Sequence, residues 1–212
     1  MAARNYAEYC GLARALELVG ERWGMLVIRE LIPGPKRFKD LTQGLRRIPS
    51  NVLSARLKEM EQAGVVERRV LPRPSGAVVY ELTDYGRELD DVLLKLARWG
   101  TRSLGEPRDE DTSSPAALLL GLRSLFRPEH ARGLRATYEL RLGETVVHAR
   151  VDDGALEVGE GPADADVTIE SDLRLRAVMA GELSPADALR DGAARVQGDE
   201  ALWERFPELF AI

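Results

Sequence analysis

The apolar residues of this chain keep one period for about a hundred positions and then change to another, and that change limits the possible folds more than any single motif. Upstream of residue 105 they recur every three or four positions, as on one face of a helix. Downstream, long stretches alternate residue by residue, as in a strand with one wet face. Between the two lies Gly105-Glu-Pro-Arg-Asp-Glu-Asp-Thr-Ser-Ser114, polar and rich in loop-forming residue types. We therefore expect a first domain over 1–104, a linker over 105–114 and a second domain over 115–212; 212 residues accommodate two domains of ordinary size.

Charge divides at the same place. The net charge of -5 conceals opposed halves: residues 1–105 hold 18 Lys/Arg against 13 Asp/Glu, and residues 106–212 hold 12 against 22. Within 36–73 the excess sharpens to 10 basic against 4 acidic residues, so only the first half suits a polyanion such as double-stranded DNA. No apolar run approaches the ~18 residues of a membrane span, and none follows the opening Met1-Ala-Ala-Arg-Asn-Tyr6 as in a secretory leader, so a cytoplasmic protein with no membrane partner is expected. A lone cysteine, Cys10, excludes an internal disulfide, and two histidines, His130 and His148, give little from which to build a metal site; no metal and no cofactor are expected. No nucleophile elbow, phosphate-binding glycine loop or zinc-protease pair occurs, so no enzyme is expected either.

In the first half, Leu12, Ala15, Leu16 and Val19 share one helical face, and a second, more buried helix spans 23–32 until Pro33-Gly34-Pro35 stops it. A short helix over 38–43 and a longer one from about Ser50 to Ala63, closed by Gly64, come next. Strands over 65–71 and 77–82 flank a tip of Pro72-Arg-Pro-Ser-Gly76, and Asp84 is placed to cap a last helix reaching about Leu104. This order of helix, turn, polar-faced helix and basic hairpin is that of a winged helix-turn-helix.

A reading helix needs one face to anchor it and another to meet base edges. At 100° per residue, Leu53, Leu57 and Met60 fall on one side of the Ser50 helix; Asn51, Ala55, Lys58 and Gln62 fall opposite, with Ser54 on the flank. Ser50, Asn51, Ser54 and Lys58 are the candidate groove contacts. Arg56 lies nearer the buried side and should reach a phosphate or an internal acid. Lys36, Arg37 and Lys39 before the short helix, and Arg68, Arg69, Arg73 and Ser75 along the hairpin, are candidate backbone contacts.

The runs Tyr9-Cys-Gly-Leu-Ala-Arg-Ala-Leu-Glu-Leu-Val-Gly-Glu-Arg-Trp23, Leu26-Val-Ile-Arg-Glu-Leu31, Gly34-Pro-Lys-Arg-Phe-Lys-Asp-Leu41, Val52 to Arg68 and Tyr80-Glu-Leu-Thr-Asp-Tyr-Gly86 resemble the HxlR family of MarR-related winged-helix regulators, over about residues 9–100. The chain departs from the family at Gly11, where proline is usual, and at Pro49-Ser50-Asn51, where Ser-Pro-Lys is usual. The resemblance implies a homodimer formed through the first helix and the helix after Asp84, with Leu12, Leu16, Leu93, Leu96, Trp99 and Leu104 as the dimerisation residues. Some relatives use a cysteine at this position for redox sensing, which makes a redox-responsive regulator with a purely structural second domain the alternative; a free cysteine is more often a small buried apolar residue, and that is the expectation for Cys10.

In the second half Ser114-Pro115 opens a helix to about Phe126. Strand candidates follow over 136–142, 147–151, 156–158 and 167–169, then helices over 173–180 and 185–190, a strand over 194–197 and a last helix, an α+β domain with a mainly antiparallel sheet under helical cover. Asp166-Val-Thr-Ile-Glu170, Ser184-Pro-Ala-Asp-Ala-Leu189 and Gly192 to Asp199 resemble the end of a sterol carrier protein type two domain. That resemblance implies an apolar ligand between sheet and helices, bordered by Leu175, Met179, Leu189, Trp203, Phe206 and Phe210, and so a hydrophobic small-molecule effector; a lipid carrier is the other reading.

Overall fold

The computed structural model describes residues 6–108 and 110–212. The chain parts into two compact units, Met1–Leu93 and Leu94–Ile212.

In the first unit, helix α1 (Gly11–Val19) buries Ala13 and Val19. Helix α2 (Gly24–Leu31) is the centre of the core, with Val27, Ile28 and Leu31 fully enclosed, and it ends just short of Pro33-Gly34-Pro35. Helix α3 (Phe38–Gly44) starts where the Asp40 carboxylate accepts the Arg37 backbone N–H at 2.9 Å, and it seats Leu41 inward. Helix α4 (Ser50–Gln62) seats Leu53, Leu57 and Met60, and Gly64, with φ 71, takes the left-handed turn that ends it.

Strands β1 (Val66–Val70) and β2 (Val78–Leu82) pair antiparallel from Val66 opposite Leu82 to Val70 opposite Val78. Lys36 adds one further rung, exchanging both backbone hydrogen bonds with Tyr80, at 2.8 and 2.9 Å. The start of the next helix differs from expectation. Thr83 is the cap: its Oγ1 accepts the Gly86 N–H and donates to the Gly64 carbonyl at 2.6 Å. The chain then forms a short α5 (Asp84–Arg87) and a separate α6 (Leu89–Thr101) in place of one helix. Gly86, inside α5, leaves no room for a side chain, since a β-carbon on it would lie 2.1 Å from the Val65 carbonyl oxygen.

The second unit is α+β. Ser114 caps α7 (Pro115–Leu125), its hydroxyl accepting the Ala117 N–H. Strands β3 (Arg135–Leu142), β4 (Thr145–Asp152), β5 (Ala155–Glu160), β6 (Val167–Ser171) and β7 (Ala194–Gly198) form one sheet in the order β5-β4-β3-β6-β7. Only the β3–β6 pair is parallel. The β4–β5 hairpin turns through Asp153 and Gly154, both at positive φ, as an Asp-Gly tip demands. Helix α7 packs on β4 and β5; α8 (Leu175–Met179), α9 (Pro185–Arg190) and α10 (Glu200–Leu209) gather over the other end.

The opposite sheet face is polar, and a strap over 161–166 crosses it from β5 to β6. Gly161 accepts from His148 Nδ1 at 3.0 Å, and Ala163 donates its N–H to the Glu139 carboxylate at 2.8 Å. His148 is thus half-buried and tied to the strap.

Candidate nucleic-acid interface

Helix α4 presents what the sequence placed on its outer face. Leu53, Leu57 and Met60 are enclosed on one side, while Ser50, Asn51, Ser54, Lys58 and Gln62 are exposed on the rest of the surface. The anchoring side of the helix is thus packed by its own unit and the polar side is open to a partner. Pro49 sits at the N-cap and offers no side-chain oxygen, so the first N–H groups of α4 have no side-chain acceptor there. Ser54 turns its hydroxyl back onto the Ser50 carbonyl at 2.9 Å, leaving its lone pairs outward.

The cations expected from the sequence fall into two groups. Lys36, only 14% exposed in its side chain, lies 3.3 Å from the fully buried Glu30, whose other oxygen takes Arg29 at 2.7 Å. Gly44 leaves room for this acid: a β-carbon there would come 2.3 Å from Glu30 Oε2. Arg56, 13% exposed, pairs with Glu59 at 2.8 Å and reaches Glu21 at 4.0 Å, the internal-acid option of the sequence reading. Arg69 pairs with Glu81 across the hairpin at 2.7 Å. In the second group are Lys39, Lys58, Arg68 and Arg73, all exposed, and Arg37, whose guanidinium donates to Ser75 Oγ at 3.3 Å and so ties the start of α3 to the hairpin tip. Sequence reasoning missed Glu30 as the group that decides the role of Lys36, because nothing in the spacing of the two residues announces a buried pair.

Cys10 corrects an expectation. It is exposed, not buried, at the N-cap of α1. The Ala13 and Leu12 backbone N–H groups in the first turn of α1 favour its thiolate and hold its thiol pKa below the usual range.

Of the residues expected in an apolar dimer contact, Leu12 and Leu16 on α1 and Leu96, Trp99 and Leu104 in and after α6 are exposed, whereas Leu93 is buried. Of those expected around a ligand in the second unit, Leu175, Trp203, Phe206 and Phe210 are buried, Met179 is half-buried and Leu189 is exposed. Three of the aromatics pack on one another and on Tyr138: ring centroids lie 4.9 Å apart for Phe206 and Phe210, 5.9 Å for Tyr138 and Phe206, and 6.0 Å for Trp203 and Phe206.

A helix pair with an exposed polar second helix, followed by a basic two-stranded wing, defines the first unit as a winged helix-turn-helix of the DNA-binding, transcription-regulator type. Residues 18–108 match the model of the HxlR-like helix-turn-helix family. The HTH-type transcriptional regulator YodB of Bacillus subtilis is 42% identical over 95 residues, which is 45% of this chain and 84% of that protein. The uncharacterized HTH-type transcriptional regulator Rv3095 of Mycobacterium tuberculosis is 38% identical over 96 residues, 45% of this chain and 60% of the relative. The solved reduced form of YodB is 40% identical with a TM-score of 0.41, covering 48% of this chain and all of that one. The chain belongs to the HxlR family of helix-turn-helix transcriptional regulators.

Proposed function

We propose that the protein acts in the cytoplasm as a homodimeric regulator that reads an operator in double-stranded DNA with the outer face of α4. One observation carries this reading: Asn51, Ser54 and Lys58 are exposed on the side of α4 opposite the enclosed Leu53, Leu57 and Met60. In this reading Ser50, Asn51, Ser54 and Lys58 enter the major groove, while Arg37, Lys39, Arg68, Arg73 and Ser75 fix the register on phosphates. The exposed Leu12, Leu16, Leu96, Trp99 and Leu104 support the homodimer, because a second copy would cover them; two reading heads would then meet half-sites about 34 to 36 Å apart. Selection of bound fragments from random duplex DNA, followed by titration over salt, tests it. A recurrent half-site bound with a steep salt dependence is expected; recovery of no sequence preference at any salt would overturn it.

The second unit is proposed as a sterol-carrier-like sensor whose hydrophobic small-molecule ligand changes DNA affinity. Its support is the apolar layer between sheet and helices, with Met179 and Leu189 at the margin. A hundredfold change in affinity requires the ligand to separate the two states by about 2.7 kcal/mol. Fatty acids of graded length are suitable probes: binding that leaves the DNA titration unmoved would remove the sensor and spare the regulator. A second reading, redox control through Cys10, is favoured by the exposure of that thiol and its lowered pKa. If peroxide weakens DNA binding equally in wild type and Cys10→Ser, Cys10 is not the sensor.

A further inference from the structure

We infer that Arg46 and Arg47, at the turn between α3 and α4, are principal contacts to the phosphodiester backbone of duplex DNA; the inference rests on the regulator reading above. Leu45 and Ile48 are both buried, and the Ile48 N–H donates to the Leu45 carbonyl at 2.9 Å. Arg46 and Arg47 are therefore the two central residues of a closed turn whose ends are nailed into the core. Such a turn projects its central side chains outward, and both arginines are exposed.

Three observations direct them to phosphate. Neither guanidinium has a hydrogen-bond or ion-pair partner among the described residues, in contrast to Lys36, Arg56 and Arg69, which are held by Glu30, Glu59 and Glu81. The stretch 41–58, which contains the turn and most of the reading face, includes no Asp or Glu. The turn also leads directly into α4, placing two fork-shaped donors beside the helix end that would enter the groove, where a guanidinium pair suits the oxygens of adjacent phosphates. A cation held by an acid of its own unit must give up that partner before it can neutralise a phosphate and release counterions, whereas a free one need not. The electrostatic work thus moves from Lys36, Arg56 and Arg69 to Arg46 and Arg47.

The test is fluorescence anisotropy of the full chain on a selected duplex and on a random one, between 50 and 200 mM salt, roughly the range over which phosphate contacts are read out. Arg46→Gln/Arg47→Gln should flatten the plot of log affinity against log salt by about 1.8 per bound subunit and weaken both duplexes by roughly tens of fold at low salt. The ratio between the duplexes should hold, because phosphates carry no sequence. Arg46→Lys/Arg47→Lys should recover most of the slope, and Arg69→Gln should leave it as in wild type. Thermal melting of each variant checks that the fold is intact. A wild-type slope in the double glutamine variant, or an equal loss in Arg69→Gln, would overturn the inference while leaving the regulator reading in place. Absence of duplex binding by the wild type at low salt would remove both.

Discussion

A charged side chain serves a partner only if no neighbour has claimed it, and several assignments here turn on that condition. Glu139, 2% exposed on the polar sheet face, is the clearest case. Burial alone would raise its pKa, but the Ala163 N–H, the Arg141 guanidinium at 2.6 Å and His148 hold it below the usual carboxylate range. Its contribution is therefore present at neutral pH and is lost as pH falls through that lowered value. Glu139→Gln should cost about 1–3 kcal/mol at pH 7, a difference that shrinks as pH falls below the ordinary carboxylate range; urea unfolding followed by tryptophan fluorescence reads it, and a pH-independent cost would contradict the account. Cys10 gives a second residue-scale test. A lowered thiol pKa moves the thiolate, and hence alkylation, to lower pH, so the iodoacetamide rate profile should reach its midpoint below that of free cysteine. At this scale the sequence was least informative. That Lys36 is spent on Glu30, or that Cys10 faces outward, depends on how α2 and α1 are packed, and residue type alone carries no trace of it.

At the scale of elements the sequence was most informative. Helix α4 was legible because burial on one side writes a 3.6-residue period into the chain, and the β4–β5 turn because few residue pairs tolerate two positive φ values in succession. The break between α5 and α6 was not legible. Thr83 and Asp84 are both good caps by type, and the choice shows only in the folded chain, where Thr83 Oγ1 accepts the Gly86 N–H and donates to the Gly64 carbonyl, 19 residues away in sequence. The two candidates can be separated. Thr83→Ala removes an acceptor for Gly86 and a donor to Gly64, and should cost about 1–2 kcal/mol in urea denaturation. Asp84→Ala, exposed and outside the cap, should cost less than about 0.5 kcal/mol; the reverse order would restore Asp84 as the cap.

For the whole molecule, the reversal of charge between residues 1–105 and residues 106–212, +5 against -10, favours a polyanion on the first stretch over the second, and it was visible in the sequence because it needs only counting. The exposed apolar side chains raise a different question, for a monomer gains nothing by leaving Trp99 69% exposed. A dimer that covers it should be broken by Trp99→Glu, so light scattering should give the mass of one chain for the variant and of two for wild type; one chain for both would contradict the dimer. The central claim remains that the outer face of α4 reads base edges. The most direct measurement compares wild type with Asn51→Ala on a selected duplex and on a random one. The account expects the preference for the selected duplex to fall by about 1–3 kcal/mol, with random-duplex affinity and melting temperature unchanged. An unaltered preference, or an equal loss on both duplexes, would contradict it.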